Sequence, residues 1–356
     1  MQERKRSGVL DLIKIIATIL ILFHHYQQLL NVRFDGINFY GGTHFYFGYI
    51  VELFFVVSGI LAVPYIAKIE QGEAFTEFFR KRFLRFFPIM LISTLAYTAL
   101  LIVFYNTFGG WFWGDPVNLF KVFVSAIGAQ VIWGNEICAI NNPMWYISVL
   151  LVCYVMLYFC IWAAKRWNVR KESLYILLVV IGAVLISREA EWPVLCSRTG
   201  RGFVAFFSGV LWERYIHSDH RKKAGIIAFV LITTALMLVS DQTGAAEEGR
   251  IAIFFGIAYF PALICCVKTE LTERLFTNKI ISQMAAFSFE AYVWHVGVYT
   301  LIVMACASGK LSIDFNGYGT MFTIVALVEL FGMLIYYLIE RPIAGRLQKN
   351  ERKPLA

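Results

Sequence analysis

Residues 9–30 read VLDLIKIIATILILFHHYQQLL, an apolar run of membrane-spanning length that carries Asp11, Lys14, His24 and His25 within it. Ionisable side chains are expensive in hydrocarbon, so each one inside such a run is a functional-site hypothesis by default. Lys14 and His25 stand eleven positions apart. At about 100° per residue a helix returns them to nearly one face, roughly 16 Å apart along its axis. The run therefore reads as a span with a polar stripe along one side.

Of the 356 residues, 59% are hydrophobic, only 16% are charged and 32 are Phe. That balance excludes a soluble globular domain and points to an all-α, polytopic integral membrane protein. The basic start MQERKRSGVL precedes a run too long for the apolar core of a signal peptide, and no small-residue cleavage site follows. The run is therefore expected to remain as an uncleaved first span. Apolar runs of about 17 to 23 residues give ten expected spans, at 9–30, 45–66, 87–105, 144–163, 174–188, 202–216, 224–240, 251–267, 285–305 and 319–339. A shorter run at 120–133 is open to spanning, re-entering or lying in the interface. If it does not span, the basic loops around Arg4–Arg6, Arg80–Arg85, Lys165–Lys171, Arg214–Lys223 and Arg341–Lys353 all fall on one side. The positive-inside rule makes that side cytoplasmic. About ten transmembrane helices with cytoplasmic N and C termini are expected, in one domain over 1–356, with 106–143 extracytoplasmic or re-entrant. The net charge of +8 then reflects orientation and contact with anionic membrane lipid and needs no nucleic acid.

Most cysteines fall inside apolar runs, where a buried thiol is the ordinary reading, while Cys138 and Cys196 lie outside them and leave a disulfide open. No metal-ligand spacing occurs. Trp111, Phe112, Trp113, Phe120 and Trp133 form either a sugar-stacking shelf or an aromatic belt at headgroup level.

Depth sorts the remaining polar residues. His25 lies about 24 Å up the first helix and Glu52 about 10 Å below the outer surface in the second, so the two stand at comparable depth and are expected to meet. A carboxylate beside an imidazole fixes its tautomer and suits a general base for a hydroxyl group. His295 falls near mid-membrane. At the inner end Lys14 is joined by Arg80, Lys81, Arg82 and Arg85, a cluster that reads as a polyphosphate site or as a positive-inside loop.

These residues carry a resemblance to the membrane acyltransferase-3 family. LDLIKIIATILILFHH (10–25) resembles its opening motif of a basic residue and a histidine, here Lys14 and His25, with His24 about 100° away. VELFFVVSGIL (51–61) resembles the second-span signature with Glu52 at the acidic position, RKRFLRFFP (80–88) the basic, proline-ended motif, and MWYISVLL (144–151) the Trp-x-x-Ser span. FSFEAYVWHVGV (287–298) resembles the late Ser-x-x-x-Tyr-x-x-His signature, and ERP (340–342) the terminal one. The family usually has arginine at the position of Lys14, and many members carry a glutamate after the position of Ser148, where this chain has Val149. The latter departure is similar to the stand-alone glycan O-acetyltransferase branch.

The resemblance implies an O-acyltransferase that moves an acetyl or other acyl group from cytoplasmic acyl-CoA to a hydroxyl of a cell-surface or lipid-linked polysaccharide, with no metal, in a bacterial inner membrane. His25 and Glu52 would be catalytic. Lys14, Arg82 and Arg85 would hold the CoA phosphates, and Trp145, Ser148, Arg201, Tyr292 and His295 would line the substrate site. Transfer through general-base attack and transfer through an acyl-histidine both remain open. A glycan or lipid transporter or flippase with an intramembrane His, Glu and Lys relay is the rival, although no inverted repeat is visible.

Overall fold

The computed structural model describes residues 6–42, 46–112, 116–133, 140–216, 220–239, 248–343 and 345. Cys138 and Trp113 lie outside these, so the expectations resting on them concern residues that are not described. Among the described residues the chain is helical, and its only extended pairing is an isolated bridge between Glu191 and Cys196.

All ten expected runs form helix. They are α1 (Gly8–Leu30), α2 (Ile50–Glu70), α3 (Phe75–Phe108), then, beyond a short α4 (Leu119–Ala126), α5 (Trp145–Trp167), α6 (Lys171–Ser187), α7 (Ser197–Trp212) and α8 (His220–Val239). The eighth run is divided into α9 (Glu248–Phe254), a π-helical turn at Phe255–Tyr259 and α10 (Phe260–Val267). A surface helix α11 (Glu270–Phe276) precedes α12 (Lys279–Ala307) and α13 (Tyr318–Ile335). Among the described residues, seven helical segments are long and apolar enough to cross a membrane. With 17 and 16 residues, α6 and α7 reach only about 26 and 24 Å, less than the roughly 30 Å hydrocarbon core. Phe203, Val204, Ala205, Phe206 and Phe207 of α7 are all buried: a helix apolar on every side is one enclosed by its neighbours.

Enclosure of α7 depends on glycine. A methyl group on Gly59 of α2 would stand 2.0 Å from the Phe206 carbonyl oxygen, and one on Gly209 of α7 would stand 2.3 Å from that of Val56. The two backbones touch there, as small residues allow between membrane helices.

The ambiguous run at 120–133 yields only the eight residues of α4, about 12 Å of helix, too short to span. It packs against α3 and turns back at Gly128, whose φ is +67°. The Ile140 amide donates to Ser125 Oγ at 2.9 Å and the Val131 amide to Ser148 Oγ at 3.2 Å. Irregular backbone thus finds its partners inside protein, the condition under which it is tolerated at membrane depth. At one end of the bundle the start of α1 meets α11, and Glu70 at the foot of α2 meets Lys171 of α6. This is the basic end. His25 and the start of α2, α5 and α7 lie toward the other.

Candidate active site

The centre of the site is a histidine pair formed by helices far apart in sequence. His25 Nδ1 lies 2.9 Å from His295 Nε2, with the rings nearly parallel at 14° and their centroids 4.8 Å apart. His295 Nδ1 lies 2.6 Å from the Tyr292 carbonyl oxygen. A carbonyl only accepts, so this network assigns the proton to His295 Nδ1; its Nε2 then accepts from His25 Nδ1–H. In the neutral pair the basic nitrogen of His25 is therefore Nε2. Register between α1 and α12 is set by tyrosines on the same faces: Tyr299 donates to the Leu22 carbonyl at 2.9 Å, and its ring meets that of Tyr26 edge-on at 6.1 Å.

His24 faces another way. Its Nδ1 lies 2.9 Å from the Phe39 carbonyl oxygen, and Tyr40 and Tyr46 meet its ring edge-on at 5.3 and 5.2 Å. Gln27, wholly buried, folds the loop that brings these groups over the end of α1. Its Oε1 accepts from the amides of Phe39 and Tyr40, and its Nε2 donates to Asn38 Oδ1 at 2.8 Å. Sequence reasoning missed Gln27, although a glutamine inside an apolar run was itself a signal.

Glu52 requires a correction. Its carboxylate, 1% exposed, is held at both oxygens by Arg201, whose Nη2 donates to Oε2 at 2.7 Å and whose Nε donates to Oε1. The same Nη2 donates to the Gly48 carbonyl at 2.9 Å. A buried carboxylate takes the partner that satisfies both its oxygens, and the planar guanidinium fork does so where one imidazole nitrogen cannot. Depth matched Glu52 to His25, but azimuth gave it to Arg201. Consequently Arg201 is committed to an ion pair, and Trp145 lies beneath both its guanidinium, 5.2 Å away, and that of Arg198 at 5.5 Å. Ser148 is buried, and its hydroxyl accepts from the backbone amide of Val131 beyond α4.

Toward the basic end opens a cavity of about 1030 Å³, the size of a site for a large cofactor-like molecule. Arg6, Lys14, Arg85, Lys268 and Arg274 stand around its mouth, and Thr18, Ser58, Tyr146 and Tyr292 mark its deep end. Thr18 lies two turns below His25, and Tyr292 one turn from His295. The Tyr292 hydroxyl donates to the Pro143 carbonyl, and Tyr146 shares a 2.9 Å hydrogen bond with Ser58.

At the mouth, Lys14 Nζ bonds Asp11 Oδ1 at 2.9 Å, and Arg6 bonds the other oxygen. Arg85 forms no ion pair among the described residues. Arg82, expected beside them, is stacked on the rings of Tyr65 and Phe78 at 3.8 and 4.3 Å and is not part of the cavity wall. The rim includes α11, which the sequence did not reveal. Burial pushes the Glu273 carboxyl up, but hydrogen bonds from Ser7 and Lys268 outweigh it and hold the group below its ordinary 4.5. Among the described residues no cluster of three His, Cys, Asp or Glu could hold a metal ion.

The chain is 22% identical over 314 residues to the exopolysaccharide production protein ExoZ of Rhizobium meliloti (strain 1021), covering 86% of this chain and 92% of that protein. No solved structure matches. A family model described as an acyltransferase domain, the acyltransferase-3 type, matches residues 8–344. With its apolar helices, polar span and late histidine motif all inside that match, the chain is an integral membrane protein belonging to the acyltransferase-3 family.

Proposed function

We propose that this protein transfers an acetyl group from cytoplasmic acetyl-CoA to a hydroxyl of a cell-surface or lipid-linked polysaccharide in a bacterial inner membrane. The observation that carries this reading is the continuity of the cavity, which runs from a cationic mouth to within a helical turn of the histidine pair. The donor's phosphates would lie at the mouth against Arg85 and Lys14, with Arg82 acting only indirectly by bracing Tyr65 and Phe78. The pantetheine arm would rise along α1 and α12 and bring the thioester carbonyl to His25.

The acceptor hydroxyl would approach from the opposite end. As its oxygen attacks the thioester carbon, His25 Nε2 takes the hydroxyl proton. Collapse of the tetrahedral intermediate breaks the carbon–sulfur bond, and the proton passes from His25 to the departing thiolate. His295 holds His25 in the tautomer that leaves Nε2 basic, the part that Glu52 was expected to play. Glu52 and Arg201 instead fix α2 against α7 beside Trp145, which with Tyr292 would border the acceptor's path. Ser148 supports the re-entrant backbone behind it.

The test is a radiolabelled acetyl-CoA assay with protein reconstituted in liposomes and a polysaccharide acceptor. Wild-type protein is expected to label the glycan, and His25→Ala to lower kcat by at least 10³-fold, on the order expected for loss of a general base. Labelling that survives His25→Ala overturns the mechanism, and absence of CoA release from wild type overturns the donor assignment.

A further inference from the structure

The wall of the cavity contains a carboxyl group with no hydrogen-bond partner among the described residues. Glu290, on α12 two residues before Tyr292, lines the cavity and is fully buried. Neither of its oxygens has a hydrogen-bond partner among the described residues. Its polar neighbours along the same wall are already committed. Ser288 donates to the Ala285 carbonyl at 3.2 Å, Tyr292 to that of Pro143, and Tyr146 bonds Ser58. Three of the cations at the mouth are held elsewhere: Lys14 and Arg6 by Asp11, and Lys268 by Glu273 at 2.9 Å.

An unsatisfied buried carboxyl is costly, and apolar residues of the same volume would fill this wall more cheaply. Such groups call for a specific explanation, and one that borders a ligand-sized cavity is explained by a partner that arrives with the ligand. A ligand group that donates to a carboxyl oxygen supplies what this wall lacks. Carboxyl oxygens accept, and no described side chain or backbone amide donates to either oxygen of this one.

We propose that Glu290 accepts a hydrogen bond from an amide N–H of the acyl donor's pantetheine arm, the amide nearest the thioester. The inference rests on the donor reading above. The axial spacing is compatible with this register. Five residues separate Glu290 from His295, about 7.5 Å along α12. Four bonds separate that amide nitrogen from the acyl carbon, about 5 Å when extended, which leaves room for the carboxyl group on one side and His25 on the other. A donor tethered at its phosphates alone would slide in so wide a cavity; a second fixed point close to the thioester holds the carbonyl at attack distance.

The experiment compares two donors in the reconstituted protein. One is S-acetyl-N-acetylcysteamine, which keeps this amide, and the other is the S-acetyl thioester of a plain alkanethiol of similar length, which lacks it. Wild type is expected to prefer the amide donor in kcat/KM. Glu290→Met should shrink that preference about tenfold, the equivalent of about 1.4 kcal/mol, mostly through KM, while Glu290→Gln, which retains an accepting oxygen, should keep it within threefold. The ratio of donors is internal to each protein, so a loss of folded enzyme cancels. A preference unchanged in Glu290→Met overturns the proposal, as does one lost equally in Glu290→Gln. Failure of wild type to use acetyl-CoA or either thioester would overturn the underlying donor reading instead.

Discussion

At the scale of single residues the site is governed by which buried polar group satisfies which. Glu52 and Arg201 satisfy each other at both oxygens, and removing one partner strands the other in a low dielectric. Glu52→Ala is therefore expected to lower stability by on the order of 3 kcal/mol, as is Arg201→Ala, with the double variant far less damaging than the sum. Thermal unfolding in detergent checks this, and additive losses would contradict the pairing. His295 calls for a different outcome. His295→Gln can accept from His25 Nδ1 through its amide oxygen, so it should retain at least tenfold more kcat than His295→Leu, which cannot. Equal activity in these two variants would remove His295 from its positioning role. The His25–His295 contact spans 270 positions in the chain, and nothing local in either motif names the partner. Depth along a helix was legible because rise per residue is fixed. Rotation about its axis was not, because apolar residues surround these helices on every side. That is why Glu52 was matched to His25 by height and is found instead with Arg201.

At the scale of elements, the apolar runs were long enough to be read directly, and every one of the ten contains helix. Less legible were the ends and the interruptions. The π-helical turn at Phe255–Tyr259 has no separate signature in the run, and α11 is too short and polar to stand out. Close packing of α2 on α7 was invisible as well, since it depends on two glycines that only juxtaposition makes meaningful. Gly209→Leu should force these backbones apart and cost at least 1 to 3 kcal/mol, the usual range for overpacking. The same substitution at Gly225, where an added methyl meets nothing within 4 Å, should leave the unfolding temperature almost unchanged. The α11 rim adds a pH dependence of known sign. Because the folded Glu273 carboxyl titrates below its ordinary 4.5, its link to Ser7 and Lys268 stabilises fully above that ordinary value and is lost as pH falls through the lower, folded one. Wild type should lose unfolding temperature across that acidic window, and Glu273→Gln should lose less.

At the scale of the whole molecule, the proposed function assigns two differently equipped ends to two reactants. The cavity opens among Arg6, Lys14, Arg85, Lys268 and Arg274, which suits a polyanionic donor. The opposite end closes His24 under a folded loop and presents Trp145 beneath two guanidinium groups, surroundings suited to a sugar ring. Among the mouth cations Lys14 already bonds Asp11, whereas Arg85 forms no ion pair among the described residues and only lies 5.6 Å from the Phe86 ring, so the two should not contribute equally to donor binding. Arg85→Ala is expected to raise KM for acetyl-CoA about tenfold with little change in kcat, the loss of one charge-assisted contact to phosphate. Lys14→Ala should raise it less, and Arg85→Ala should discriminate less between acetyl-CoA and its 3′-dephospho analogue. The division of compartments is tested with sealed proteoliposomes whose orientation is fixed by labelling a cysteine placed at Arg274. Vesicles with the basic end inward should acetylate external glycan only when acetyl-CoA is trapped in the lumen. Equal transfer with donor and acceptor both outside would show that the two reactants share one entrance and that the cavity is not the donor's route.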